Sequence, residues 1–298
     1  MSRDESLVSE SRPSRFERGL ELVQSKLFSE ALGYFDQALL HEHFQSSRIK
    51  SQCHYWLGEC YFASELFESA LLHYSLAIDL DSTNSQVFFD RGYLESRLKH
   101  HSNAIRDFDQ CILLNAEYSW AYFHRGWNQF HLAAYEEAIQ DFRKALELGT
   151  GDLILAAREW LCSSLKAISK FWLRNGNLEL VVSYLEELVQ LQDFCNLKYL
   201  QMLSGVYSDL RRHEEANEIL TRIIDLDPRN SASFAHRAYS FYKMKLFDYA
   251  LKDYQTALEL NPNSEDALMG IEKVMAGKLK LQQKILQSIP KAKVVDAA

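Results

Sequence analysis

Residues 119–148 read SWAYFHRGWNQFHLAAYEEAIQDFRKALEL. Apolar residues recur there at three- and four-residue steps on both sides of a break near Ala134. That periodicity marks two amphipathic helices joined by a turn, predicted over Trp120–Ala133 and Tyr135–Leu148. Working outward, Ala138 belongs to a column with Ala70, Ala104, Ala216 and Ala250, and the step within each run is 34 residues. Tyr74, Phe108, Phe142 and Tyr254 follow those alanines by four residues; Gly58, Gly92, Gly126, Ser204 and Ala238 precede them by twelve. A period of this length makes the chain a stack of similar units. The small residues have a steric purpose. They let the second helix of each pair approach the first closely, and a large side chain at either column would push the two apart.

Composition agrees with such a stack. Only 11 Gly and 4 Pro occur in 298 residues, as expected for a helical chain with short turns. The net charge is −8, and residues 273–298 carry six Lys and one Asp, so the rest of the chain is near −13. A body that acidic repels phosphate backbones, which argues against nucleic acid as a ligand. The five cysteines (53, 60, 111, 162 and 195) show no metal-pair spacing and are expected to be buried thiols in a reducing compartment. The opening MSRDESLVSESRPSRFERG has no apolar run of a secretory signal. No stretch approaches the ~20 apolar residues of a membrane span. The expectation is a soluble cytoplasmic protein.

At this point the residues resemble a known family. Phe-Asp-Arg-Gly-Tyr (89–93), His-Arg-Gly-Trp (124–127) and His-Arg-Ala-Tyr (236–239) are similar to the first-helix signature of the tetratricopeptide repeat. Tyr135-Glu-Glu-Ala-Ile-x-Asp-Phe-x-x-Ala145 is similar to its second helix, and the loops at 227–230 and 261–264 to its closing segments. The resemblance covers about residues 12–264 and implies an all-α, right-handed α-solenoid of helix-turn-helix repeats with a C-terminal capping helix. Units are expected near 12–45, 51–84, 85–118, 119–152, 153–196, 197–230 and 231–264, followed by a solvating cap at 265–287; residues 1–11 and 288–298 are expected to be disordered. Two departures stand out. The step from Ala31 to Ala70 is 39 residues, an insertion of about five near His41–Lys50. The fifth unit is degenerate, with Val181, Leu185 and Leu188 in place of Ala, aromatic and Ala. Its long first helix reads either as a lengthened helix or as a hinge or ridge exposing Trp160 or Trp172.

No constellation of catalytic residues emerges. Gly149-Thr-Gly151 lacks the preceding strand of a phosphate cradle. His213-Glu-Glu lacks a second His, and the pairs His41/His43 and His100/His101 lack a third ligand. No nucleophile–base or paired-carboxylate motif is present. The chain therefore reads as a non-enzymatic protein-interaction module with no cofactor and no metal; the alternatives are a self-associating scaffold or an accessory subunit of a larger complex.

The resemblance implies that one face of the first helices lines an inner groove. The relevant columns hold Phe16 and Glu17; Tyr55, Trp56 and Glu59; Phe89, Asp90 and Tyr93; Trp120, Phe123, His124 and Trp127; and later His236 and Tyr239. Candidate partner-binding residues are Tyr55, Trp56, Glu59, Phe89, Asp90, Tyr93, Trp120, Phe123, His124 and Trp127, with Glu59 and Asp90 as charge selectors. Such a wall suits a peptide or helix with apolar anchors and some Lys or Arg. It does not suit the acidic tails of heat-shock chaperones. Repeats that hold those tails carry Lys, Asn, Asn, Lys and Arg where this chain has Phe16, Leu20, Trp56, Gln86 and Asp90.

Overall fold

The structure is a computed structural model that describes residues 14–41 and 46–288. Of the ends expected to be disordered, 1–11 and 289–298 lie outside the described residues, as do residues 42–45 near the expected insertion; Ser288, expected in the tail, is the last residue of a helix. Among the described residues every regular element is an α-helix. In the first half these are α1 (Arg15–Gln24), α2 (Phe28–His41), α3 (Ser47–Ala63), α4 (Phe67–Leu80), α5 (Ser85–Arg97), α6 (His101–Leu114), α7 (Ser119–His131) and α8 (Tyr135–Leu148). The series continues with α9 (Asp152–Arg174), α10 (Leu178–Leu191), α11 (Leu197–Asp209), α12 (His213–Leu226), α13 (Ser231–Lys243), α14 (Phe247–Leu260) and α15 (Glu265–Ser288). Two compact units meet within α9, the first ending at Leu161 and the second starting at Cys162.

In the first unit α1 packs on α2, α3 on α4, α5 on α6 and α7 on α8, and each pair contacts the next through its second helix. In the second unit α11 packs on α12, α13 on α14, and α15 covers the end of that pair. The columns read from the sequence form the seams. Ala70, Ala104, Ala138, Ala216 and Ala250 are 0% exposed. A Cβ added at Gly58 would lie 2.6 Å from the Tyr74 ring, and one at Gly126 would lie 3.1 Å from Asp141 Cβ and 3.2 Å from the Ala138 carbonyl oxygen. The second helix rests directly against the bare backbone of the first.

Each hairpin turn has three residues. Its middle residue adopts positive φ: Lys26, Glu65, Lys99, Ala133, Gly176, Arg211 and Lys245 lie between 60° and 74°. The next amide closes a six-residue loop back to the first helix, as from Leu66 N to the Tyr61 carbonyl at 2.9 Å and from Ala134 N to the Gln129 carbonyl at 2.9 Å. This is the left-handed cap that favours glycine, yet six of the seven residues carry a side chain. Ala133→Gly is therefore expected to raise stability by roughly 0.5–1 kcal/mol. Urea unfolding followed by circular dichroism checks this, and an unchanged or lower midpoint would contradict it.

Several expectations are corrected. α3 begins at Ser47, one turn before the expected start near Ser51, so part of the insertion lengthens that helix. α7 ends at His131, because Ala133 is the positive-φ residue of the turn. Cys53, Cys60, Cys111 and Cys162 are buried, but Cys195 is exposed. α9 is one uninterrupted helix of 23 residues. Trp160 is not presented as a ridge: it packs 6.2 Å from Trp127 and 5.2 Å from Phe130. Trp172 is half-buried, and the outward apolar residues of α9 are Ile154, Leu155, Phe171 and Leu173. In the fifth unit Val181, Leu185 and Leu188 stay in the core despite their size. The outer face of α15 carries the exposed apolar residues Leu268, Met269, Met275 and Leu279 among its polar ones.

Candidate functional site

Most of the nominated residues lie on α3, α5 and α7 of the first unit, where α5 meets α7 directly. They form two groups. The first is a polar knot between α3 and α5. Tyr55 Oη donates to Asp90 Oδ2 at 3.0 Å, and Gln86 Nε2 donates to the same carboxylate at 3.0–3.1 Å. Tyr118 Oη donates in turn to Gln86 Oε1 at 2.8 Å. Glu59 accepts from Tyr74 Oη at 2.5 Å. Trp56 lies against Tyr55 with ring centroids 5.0 Å apart.

Burial dominates the electrostatics of this knot. It pushes Asp90 up to about 7, reinforced by the nearby Glu59 charge and opposed by the hydrogen bonds from Gln86 and Tyr55. Glu59 is also raised by burial, with the Tyr74 hydroxyl pulling the other way. The two acids expected as free charge selectors are thus already held by neutral donors, and Asp90 is only partly ionised at neutral pH. The sign of the consequence is definite. A carboxyl raised in the folded state stabilises the fold below its unfolded pKa, and that stability is lost as pH rises through the folded value, here about 7. Asp90→Asn is expected to stabilise the chain by about 1 kcal/mol or more at pH 8 and to flatten the stability profile above pH 5. Urea midpoints across that range check it; a parallel downward shift at every pH would contradict it.

The second group surrounds His124. Phe89, Tyr93 and Trp120 stand 5.7, 5.2 and 5.9 Å from its ring. Burial lowers His124 to about 4, so it is neutral at pH 7. Trp120 is the most open of these rings, at 43% exposure. Phe123 is a correction: it is 8% exposed and packs 5.9 Å from Phe142, so it belongs to the core and not to an accessible wall. Phe89, Tyr93, Tyr55, Trp56 and Trp127 are half-buried. Trp127 stacks among His131 and Trp160. Glu17, placed in the same column by sequence, closes a capping box with Ser14 at the start of α1. In the second unit His236 and Tyr239 are exposed. His101, beside the site, donates through Nδ1 to Asn128 Oδ1 at 2.8 Å, and Asn128 Nδ2 donates to Ser96 Oγ at 2.9 Å.

One feature of the wall escaped the sequence reading. Arg91, Arg125 and Arg237 each form a two-pronged ion pair with Asp107, Asp141 and Asp253, sixteen residues on. The aspartates are 4–5% exposed. The signal was present: an Arg directly before the small residue and an Asp directly before the aromatic, repeated in three units. Among the described residues no group of three or more His, Cys, Asp or Glu side chains is placed to hold a metal ion. No helix among them is long and apolar enough to cross a membrane.

Fold and site define a helical-repeat protein of the α-solenoid class. Tetratricopeptide repeat profiles match residues 16–85, 121–148, 197–230 and 231–264, together more than half of the chain. The chain belongs to the tetratricopeptide repeat family, a class of non-enzymatic scaffolds whose repeats generally mediate protein–protein interaction. Comparison with curated proteins yields no match. Among solved structures the chain is similar to a tetratricopeptide repeat protein from Parabacteroides merdae, at 18% identity over 88% of this chain and 97% of that one, TM-score 0.47. It is also similar to YrrB, described as having an unusual peptide-binding site, at 19% identity over 67% of this chain and 97% of that one, TM-score 0.35. Naa15/Naa10 bound to HypK-THB matches at 16% identity over 94% of this chain but only 42% of that one, TM-score 0.54. That last likeness supports the shared fold.

Proposed function

We propose that this chain is a non-enzymatic interaction module that holds a partner peptide or helix against the exposed face of its first helices. The observation that carries the reading is the ring wall around His124, with Trp120 turned outward, continuous with two acids that have no cation partner among the described residues. Among the described residues Glu59 and Asp90 accept hydrogen bonds from Tyr74, Tyr55 and Gln86. A ligand with apolar anchors and a Lys or Arg fits that surface. Its cation would restore full ionisation of Asp90, whose pKa burial has raised to about 7. Each well-buried anchor contributes roughly 1.5–3 kcal/mol. Three of them, at about 4.5–9 kcal/mol, offset an ordering cost of about 2–5 kcal/mol for a flexible segment and leave at most about 7 kcal/mol, a Kd no tighter than about 10 µM. The absence of the Lys and Asn set at the chaperone-clamp positions speaks against acidic tails, and the acidic body against nucleic acid. Four buried cysteines that form no disulfide among the described residues fit a reducing setting such as the cytoplasm.

Selection from displayed random peptides tests this. Enriched peptides are expected to carry aromatic or aliphatic anchors with Lys or Arg, and Trp120→Ala should weaken them at least about tenfold while circular dichroism stays helical. Acidic peptides, or binding indifferent to Trp120→Ala, would contradict it. A second reading, self-association, is favoured by the exposed Leu268, Met269, Met275 and Leu279 of α15. Sedimentation at several concentrations separates the two, and a monomer throughout removes the second.

A further inference from the structure

The two units contain the same local arrangement twice, and the second copy has lost the side chains that crowd the first. A shift of 112 residues carries Gly92 onto Ser204 and Gly126 onto Ala238, so α5 and α7 correspond to α11 and α13. In the first unit Phe89, Tyr93 and Trp120 crowd His124 and leave a cavity of only about 250 Å³ beside it. The corresponding residues around His236 are Gln201, Gly205 and Ala232. Three rings are gone, and a cavity of about 510 Å³ takes their place, lined by those three residues together with His236, Tyr239 and Asp209. A Cβ added at Gly205 meets nothing within 4 Å. His236 is exposed where His124 is not.

Two further differences accompany the loss of the rings. Asn128 links Ser96 to His101 in the first unit. Its counterpart Ser240 is too short to reach the counterparts Ser208 and His213. Ser240 Oγ and His213 Nδ1 are buried with no hydrogen-bond partner among the described residues, and Ser208 lines the cavity. The charge at the mouth is also reversed. Arg97 lies over the Phe62 and Phe67 rings at 5.4 and 5.3 Å, whereas its counterpart is the exposed acid Asp209. No cation pairs with Asp209 among the described residues; Lys243 on the same side is drawn over the Tyr239 ring at 5.0 Å and leaves the Asp209 carboxylate open.

We propose that the second unit takes from its partner what the first unit supplies for itself: an aromatic side chain seated between α11 and α13, with a neighbouring Lys or Arg of the same peptide on Asp209. The inference rests on reading the first-helix surface as a partner-binding face, and it adds the place and the chemistry of the occupant.

The test uses the full isotope-labelled chain and three capped dipeptides: acetyl-Tyr-Arg-amide, acetyl-Ala-Arg-amide and acetyl-Tyr-Glu-amide. Tyr-Arg is expected to shift amide signals of α11 and α13 and to bind at least about tenfold more tightly than Ala-Arg. Gly205→Tyr, which rebuilds the Tyr93 arrangement, should abolish that binding. Gly205→Ala, which leaves the cavity open and suits a helix, should retain it. Asp209→Asn should remove the preference for Tyr-Arg over Tyr-Glu. Equal binding of Tyr-Arg and Ala-Arg overturns the cavity assignment, as does binding unaffected in a folded Gly205→Tyr variant. Shifts confined to α5 and α7 overturn it while leaving the first-helix reading intact. No shift with any dipeptide overturns the cavity alone, since the displayed-peptide selection decides the wider reading independently.

Discussion

Arg125→Met is expected to destabilise the chain by roughly 3–5 kcal/mol at neutral pH. Arg125 Nε and Nη2 each donate to Asp141 at 2.7 Å, and Nη1 reaches Asp109 at 2.6 Å. The Asp141 side chain is only 6% exposed, against 20% for Arg125 and 49% for Asp109. Removing the guanidinium strands a carboxylate between α7 and α8 with little access to water, whereas Asp109 simply returns to solvent. Burial already raises the Asp141 pKa against the pull of Arg125, and without that pull it rises further. A group raised in the folded state stabilises most below its unfolded pKa and loses that contribution as pH rises. The gap between variant and native chain should therefore narrow on acidification. Arg125→Met with Asp141→Leu should recover most of the loss, because an apolar pair of similar size carries no desolvation penalty. Urea midpoints at two pH values for the single and double variants check this. A double variant as unstable as the single one would contradict the ion-pair account.

The second large effect is at Gly126. A leucine there must place its Cβ only 3.1 Å from Asp141 Cβ and 3.2 Å from the Ala138 carbonyl oxygen, with the rest of the side chain still to be housed. Neither neighbour can yield cheaply: one belongs to the buried ion pair and the other is helix backbone. Overpacking of this kind costs about 3 kcal/mol. Gly33 provides the contrast within the same fold, since a Cβ there meets nothing within 4 Å. Gly33→Ala in α2 should be neutral or stabilising by roughly 0.5–1 kcal/mol. Equal responses at the two glycines would show that backbone propensity, and not close approach of α8 to α7, sets the requirement at Gly126.

The seams of the fold were legible because they rest on side-chain size at a fixed interval. The alanine column and the glycines before it have one structural solution, and the aromatics four residues later fill it. The site was less legible, for three reasons. Column position does not distinguish a ring facing out from one facing a neighbour, so Phe123 was counted with Trp120 although only Trp120 is open. The charge of Asp90 depends on burial by Tyr55, Gln86 and Tyr118 from other helices and turns. The cavity near His236 is made by residues that shrink, Gly205 and Ala232, and shrinkage reads as weak repeat character until the side chains around it are seen. The ion pairs were written in the sequence, but Arg before a small residue carries no meaning until the Asp sixteen positions on is recognised as its neighbour.

Hydrogen exchange of the full chain, with and without a peptide enriched by display, tests the central claim most directly. The account expects protection on α5 and α7 or on α11 and α13, with the second helices α6, α8, α12 and α14 unchanged. Protection confined to those second helices, or to α15, would contradict it.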